Sequence, residues 1–153
     1  MPITLARRRV LSAAPALGAV LVGTPAAAQP RWFAEDGVAI RGADPVAYFR
    51  EGRPVPGSAA FSHTWQGVTW RFATAANRDA FAAEPERYAP AYGGHCAWAV
   101  AQGYTAPIDP AAWKIVGGRL FLNYDRSVQR RWERDIPGFI AKADANWPAL
   151  AGR

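Results

Sequence analysis

Apolar and polar positions alternate most clearly over residues 61–72. Phe61, His63 and Trp65 are interleaved with Ser62 and Thr64; after Gln66-Gly67 the pattern resumes as Val68, Trp70 and Phe72 against Thr69 and Arg71. A period of two on both sides of a two-residue glycine turn predicts a β-hairpin, with His63 on the face that carries Phe61 and Trp65. The period then changes. Thr74 is a good N-cap for a helix over 75–84, with Ala76, Ala80 and Phe81 as its apolar stripe and Pro85 at its end, and 85–88 add one more turn. Upstream, 37–41 reads as an edge strand. Asp44-Pro45 opens a helical turn through Phe49, with Asp44 as N-cap and Pro45 at the first helical position. Gly52, Pro54, Pro56 and Gly57 make 51–58 a loop.

Beyond Pro90 the pattern predicts a helix over 96–102 stopped by Gly103, a capped turn from Asp109-Pro110 to Trp113, and a second hairpin, 114–116 with 119–123, around Gly117-Gly118. Two helices, 127–135 and 137–145, follow and pack through Val128, Trp132, Phe139, Ile140 and Ala143. No internal repeat is visible in the residues. The expected fold class is α+β: a small single domain of short antiparallel β-hairpins packed with short α-helices.

The first 28 residues read as a targeting segment. Arg7-Arg8-Arg9 form a basic start, 10–22 a weakly apolar run broken by Pro15 and Gly18, and Ala26-Ala27-Ala28 a small-residue cleavage signal that would leave Gln29 first. Ala6-Arg7-Arg8-Arg9-Val10-Leu11 resembles a twin-arginine signal, which implies an exported, periplasmic protein with no stable membrane span after cleavage. What remains is a short lead-in over 29–36 and one domain over 37–150. With Arg7–Arg9 set aside, 15 basic residues are scattered among 12 acidic ones, a solvated surface without a nucleic-acid footprint. A single cysteine, Cys96, excludes an intramolecular disulfide, so stability has to come from packing of the seven Trp, five Tyr and seven Phe.

The order of hairpin, capped helix, Pro85 and Tyr88 resembles the YHS domain family, carried here by Gly67, Trp70, Phe72, Thr74, Phe81, Pro85 and Tyr88. The wider run from Asp44-Pro45-Val46-Ala47-Tyr48-Phe49 to Asn146-Trp147-Pro148 is similar to the exported, stand-alone bacterial form of that family. Metal-binding members carry a cysteine after the strand phenylalanine and another early in the helix; here those places hold Ala73 and Asn77. Stand-alone members commonly carry Tyr where this chain has His95, and some carry selenocysteine where it has Cys96. The resemblance therefore implies redox or metal chemistry at Cys96.

Read from the residues, Tyr92-Gly93-Gly94-His95-Cys96 is the segment where chemistry is expected, because two glycines can bend the backbone beside a thiol and an imidazole. Three functions compete. Cys96 with His95 or His63, completed by a carboxylate or water, would bind a transition metal, copper or zinc. Cys96 with His95 as proton donor or acceptor would be a redox thiol, its pKa depressed by the helix start and a neighbouring imidazolium, with a small thiol to resolve the oxidised sulfur. Trp65, Trp70, Trp98, Trp113 and Tyr104 could instead line a non-catalytic binding surface.

Overall fold

The computed structural model describes residues 14–16, 18–19 and 31–152. The predicted targeting segment lies outside the described residues apart from positions 14–16, 18 and 19. Among the described residues no helix is long and apolar enough to cross a membrane.

The fold is α+β. A four-stranded sheet has the order β1 (Ala34–Glu35), β2 (Val38–Ala39), β4 (Val68–Phe72), β3 (Ser58–Trp65). β5 (Asp109–Val116) and β6 (Arg119–Asn123) form a separate hairpin. Around them lie α1 (Pro45–Arg50), α2 (Ala75–Ala83), α3 (Pro85–Tyr88), α4 (Ala97–Gln102), α5 (Arg126–Trp132) and α6 (Ile136–Leu150). The predicted caps form: the Asp44 carboxylate accepts from the N–H groups of Val46 and Ala47, Thr74 Oγ1 accepts from Asn77 N–H, and Gly103 closes α4 at φ 95°.

Three readings change. The edge strand expected over 37–41 is β2, which lies between β1 and β4 and stops at Ala39 because Ile40 and Arg41 turn left-handed. The Asp109-Pro110 turn is the start of β5, with Pro110 inside the irregular stretch between the Asp109↔Asn123 and Trp113↔Leu122 pairs, where a missing N–H costs the ladder little. In α2, Ala76 is exposed, and Asn77 takes the buried place beside Phe81.

The structure also contains the repeat that the residues conceal. β3 and β4 pair as Ser58↔Phe72, Ser62↔Arg71 and Trp65↔Val68; β5 and β6 pair as Asp109↔Asn123, Trp113↔Leu122 and Val116↔Arg119, the same register with the same irregularity 51 residues on. Each hairpin leads into a side-chain N-cap, Thr74 or Asp125, and then a helix. Each is preceded by a short helix, α1 or α4, entered through three consecutive left-handed residues: Ile40, Arg41 and Gly42 at φ 42°, 56° and 76°, and Tyr92, Gly93 and Gly94 at 57°, 62° and 76°. The residue before α1, Asp44, donates its N–H to Val55 O at 2.9 Å, and the residue before α4, Cys96, donates to Ala106 O at 3.0 Å. Each half has its own fully buried aromatic pillar. Trp70 lies 5.0 Å from Phe81 in one, and Phe121 lies 5.4 Å from Trp132 in the other, centroid to centroid. Trp70 and Phe81 anchor one hydrophobic cluster with Trp32, Phe72 and Tyr88; Phe121 and Trp132 anchor a second with Tyr92, Val100 and Ala143.

Candidate functional site

In the first half, the residue that enters the short helix is a carboxylate. Asp44 is wholly buried and both its oxygens are used: Oδ1 accepts from Val46 and Ala47 N–H at 2.9 and 3.2 Å, and Oδ2 accepts from Ala73 N–H at 2.9 Å and Asn77 Nδ2 at 2.8 Å. A buried anion survives when hydrogen bonds replace its water, and four do so here. Ala73 and Asn77, the places where the family resemblance implies thiolates in metal-binding members, are thus committed to Asp44. Asn77 is held in turn by Arg50, whose Nη1 donates to its Oδ1 at 3.3 Å.

In the second half, Cys96 occupies the position of Asp44. Its sulfur accepts from Tyr124 N–H at 3.3 Å and also faces the N–H groups of Trp98 and Ala99. These three donors correspond one for one to Ala73, Val46 and Ala47. The Cys96 thiol donates to Asn123 Oδ1 at 3.6 Å, and the same oxygen accepts from Trp98 N–H at 3.1 Å. Asn123 is buried, and its Nδ2 has no partner. Val128 stands where Asn77 stands in the first half, so the fourth donor is replaced by an apolar wall.

Space replaces it as well. A cleft of about 260 Å³ is lined by Cys96, Trp98, Ala99, Tyr104, Tyr124 and Val128, among others, and it is mostly apolar. Trp98 and Tyr104 meet edge to face at 6.4 Å, and Tyr104 and Tyr124, 48% and 53% exposed, form its rim. Cys96, only 1% exposed, lies at the floor. Burial pushes its thiol pKa up, with the Asp125 charge adding to the rise, and the N–H groups of Ala99, Tyr124 and Trp98 offset this only in part. The expected depression of the thiol pKa is therefore reversed in sign.

His95 does not share this environment. Its ring is T-shaped to Phe33 at 5.9 Å and tilted on Trp147 at 5.9 Å, and it hydrogen-bonds the Arg31 backbone. Burial lowers its pKa, against the pull of that hydrogen bond, so at neutral pH it is an uncharged imidazole and no imidazolium stands beside the thiol. His63 packs on Phe81 at 6.3 Å in the first hairpin. Among the described residues no three His, Cys, Asp or Glu side chains form a group that could hold a metal ion, so Cys96, His95 and His63 do not converge. Of the aromatics singled out in the sequence, Trp98 and Tyr104 line the Cys96 cleft. Trp70 is core, Trp65 packs on Trp32, Trp70 and Phe81, and Trp113 packs on Tyr48.

The sequence reading missed Asn123 and Tyr124, which supply the oxygen and the N–H at the sulfur. Nothing in the local pattern marks them, because they reach Cys96 from the far hairpin. No protein-family model, curated protein or solved structure matches this chain.

Proposed function

We propose that this chain is a small exported thiol protein of the YHS type whose chemistry is carried by Cys96. One observation supports the reading above the others: the sulfur lies in the cradle of N–H groups that holds a carboxylate in the other half, and here that cradle opens onto a cleft. At rest the sulfur is a protonated thiol hydrogen-bonded to Asn123. The negative charge of the thiolate formed on deprotonation is met by preplaced N–H donors.

The reaction class is two-electron oxidation by a hydroperoxide. The Cys96 thiol first gives its proton to solvent; the thiolate then attacks the peroxide, the O–O bond breaks as the S–O bond forms, and the departing oxygen takes a proton from solvent and leaves as water or alcohol, leaving Cys96 as a sulfenic acid. Two equivalents of a small thiol return it. The first displaces water to form a mixed disulfide; the second displaces Cys96 and departs as the small-molecule disulfide. His95 takes no part, since its ring faces Phe33 and Trp147.

Transition-metal binding, copper or zinc, has less support: Cys96 is the one thiol, and neither histidine joins it in a ligand group. The test is to expose the folded protein to hydrogen peroxide with a sulfenic-acid trapping reagent, with and without one equivalent of copper(I) or zinc. Trapping at Cys96 in the native protein, unchanged by metal, supports the thiol reading. Trapping at Cys96 without metal that is abolished by one equivalent of copper(I) or zinc would replace it with the metal reading.

A further inference from the structure

We infer that the cleft on the Tyr92 side of the Tyr92–Cys96 segment binds a small organic anion, a carboxylate on a flat apolar body. This cleft is separate from the one above Cys96 and larger, about 410 Å³, a size that suits a small molecule. Arg31, Arg87 and Arg119 reach it from three different parts of the chain, the lead-in, α3 and the second hairpin, and Tyr92 and Trp147 also line it. Against three guanidinium groups stand two carboxylates, Glu86 and Asp144, so the lining is net positive.

The carboxylate of Asp144 is already engaged. Arg119 donates to its two oxygens at 3.2 and 3.0 Å, and the Tyr92 hydroxyl donates to Oδ1 at 2.9 Å. Arg119 and Tyr92 hold Asp144 below the usual carboxylate range although burial pulls the other way. That pair orients Arg119 over the Tyr92 and Phe121 rings, 5.5 and 5.0 Å from their centroids, and leaves part of its five-donor fork unspent. Arg87 pairs only with exposed Glu84, an interaction that costs little to exchange. Arg31 has no acidic partner among the described residues.

The glycine turn packs against the Arg31 backbone. Phe33 N–H donates to Gly93 O at 2.7 Å, and the His95 ring bonds the Arg31 backbone. A Cβ on Gly93 would run into the Arg31 carbonyl oxygen, and one on Gly94 would come within 2.7 Å of Ile40 Cγ2. Guanidinium groups take carboxylates through paired N–H donors, and the half-buried Trp147 ring in the lining offers a flat body its apolar contact.

Benzoate and inorganic phosphate, each titrated into ¹⁵N-labelled full-length protein at constant ionic strength, test this. Saturable benzoate shifts at the Gly93 and Gly118 amides, weakened roughly tenfold or more by Arg31→Gln and unchanged by the remote Arg53→Gln, are expected, since one charge-assisted pair is worth about that factor. Phosphate should bind more weakly. Equal affinity for phosphate and benzoate would overturn the apolar part of the assignment. Non-saturating shifts, or benzoate binding indifferent to Arg31→Gln in a variant whose spectrum is otherwise native, would overturn the site itself.

Discussion

The two halves of this molecule place opposite residues at one structural position. In the first, Asp44 enters α1 as a buried carboxylate that spends both oxygens on four donors from α1, the end of β4 and α2. In the second, Cys96 enters α4 and meets three corresponding N–H groups, but Asn77 has become Val128 and the space beside it is a cleft. Filled with a bonded anion, the cradle is a clamp that ties helix to hairpin. Holding a thiol with an open side, it is a place where charge can be created on a sulfur atom. The two cradles differ by three side-chain exchanges on a repeated backbone, Asp44 to Cys96, Asn77 to Val128 and Phe72 to Asn123.

The comparison fails first if the halves are not equivalent supports. Phe81 and Trp132 hold matching positions, both wholly buried against the strand aromatic of their own hairpin. Phe81→Ala and Trp132→Ala should each destabilise the fold by about 3–5 kcal/mol, the usual cost of emptying a buried aromatic site, read as the shift in urea unfolding. A loss under about 1 kcal/mol at either position would mean that its half does not rest on that pillar.

A smaller effect sharpens the contrast between the cradles. Asp44→Ala removes the acceptor for four donors at once and should cost about 2–4 kcal/mol, since buried N–H groups would be left unpaired and a helix cap lost. Cys96→Asp is the informative partner. If the second cradle is built like the first, the introduced carboxylate meets the N–H groups of Trp98, Ala99 and Tyr124, and the variant should unfold within about 1–2 kcal/mol of the parent at pH 7. A Cys96→Asp protein that cannot fold while Cys96→Ala folds normally would show that the second cradle does not accept an anion.

Much of the scaffold could be read from the residues, because hairpins and caps are local. The Gln66-Gly67 and Gly117-Gly118 turns, the Asp44 and Thr74 caps and the Gly103 stop all act within a few residues, and all form as expected. Asp109-Pro110 misled because it has the same two letters as Asp44-Pro45; an N-cap and a strand start in an irregular ladder use Asp-Pro equally well, and only pairing with Asn123 decides. The repeat stayed hidden because what recurs is register and backbone handedness, while the matched side chains differ: Asp44 and Cys96, Phe72 and Asn123, Phe81 and Trp132. The site was half readable. The Gly93-Gly94 pair marks Cys96, but adjacency in sequence does not join His95 to it, because the bend that the glycines allow sends the two side chains into different surroundings.

The smallest effect lies in the pH dependence of stability, and it isolates the sulfur. Burial raises the Cys96 thiol pKa in the folded state above its unfolded value. The neutral thiol is therefore the form that the fold prefers: its stabilising contribution is complete below the unfolded thiol pKa and is lost as pH rises through the folded one. Tyr48 and Tyr92 are also shifted upward by burial, so they add a decline of the same sign at still higher pH. Comparing the parent with Cys96→Ala removes their share. Between about pH 8 and 10, spanning the ordinary thiol range, the parent should lose more unfolding free energy than Cys96→Ala, as measured by urea titrations at matched ionic strength. Native alkylation by a small reagent should continue to accelerate past the pH at which an unfolded thiol levels off. Parallel stability curves for the two proteins, with alkylation levelling where the unfolded thiol does, would mean that the cradle's N–H groups fully compensate for burial, making the second cradle as much an anion site at rest as the one around Asp44.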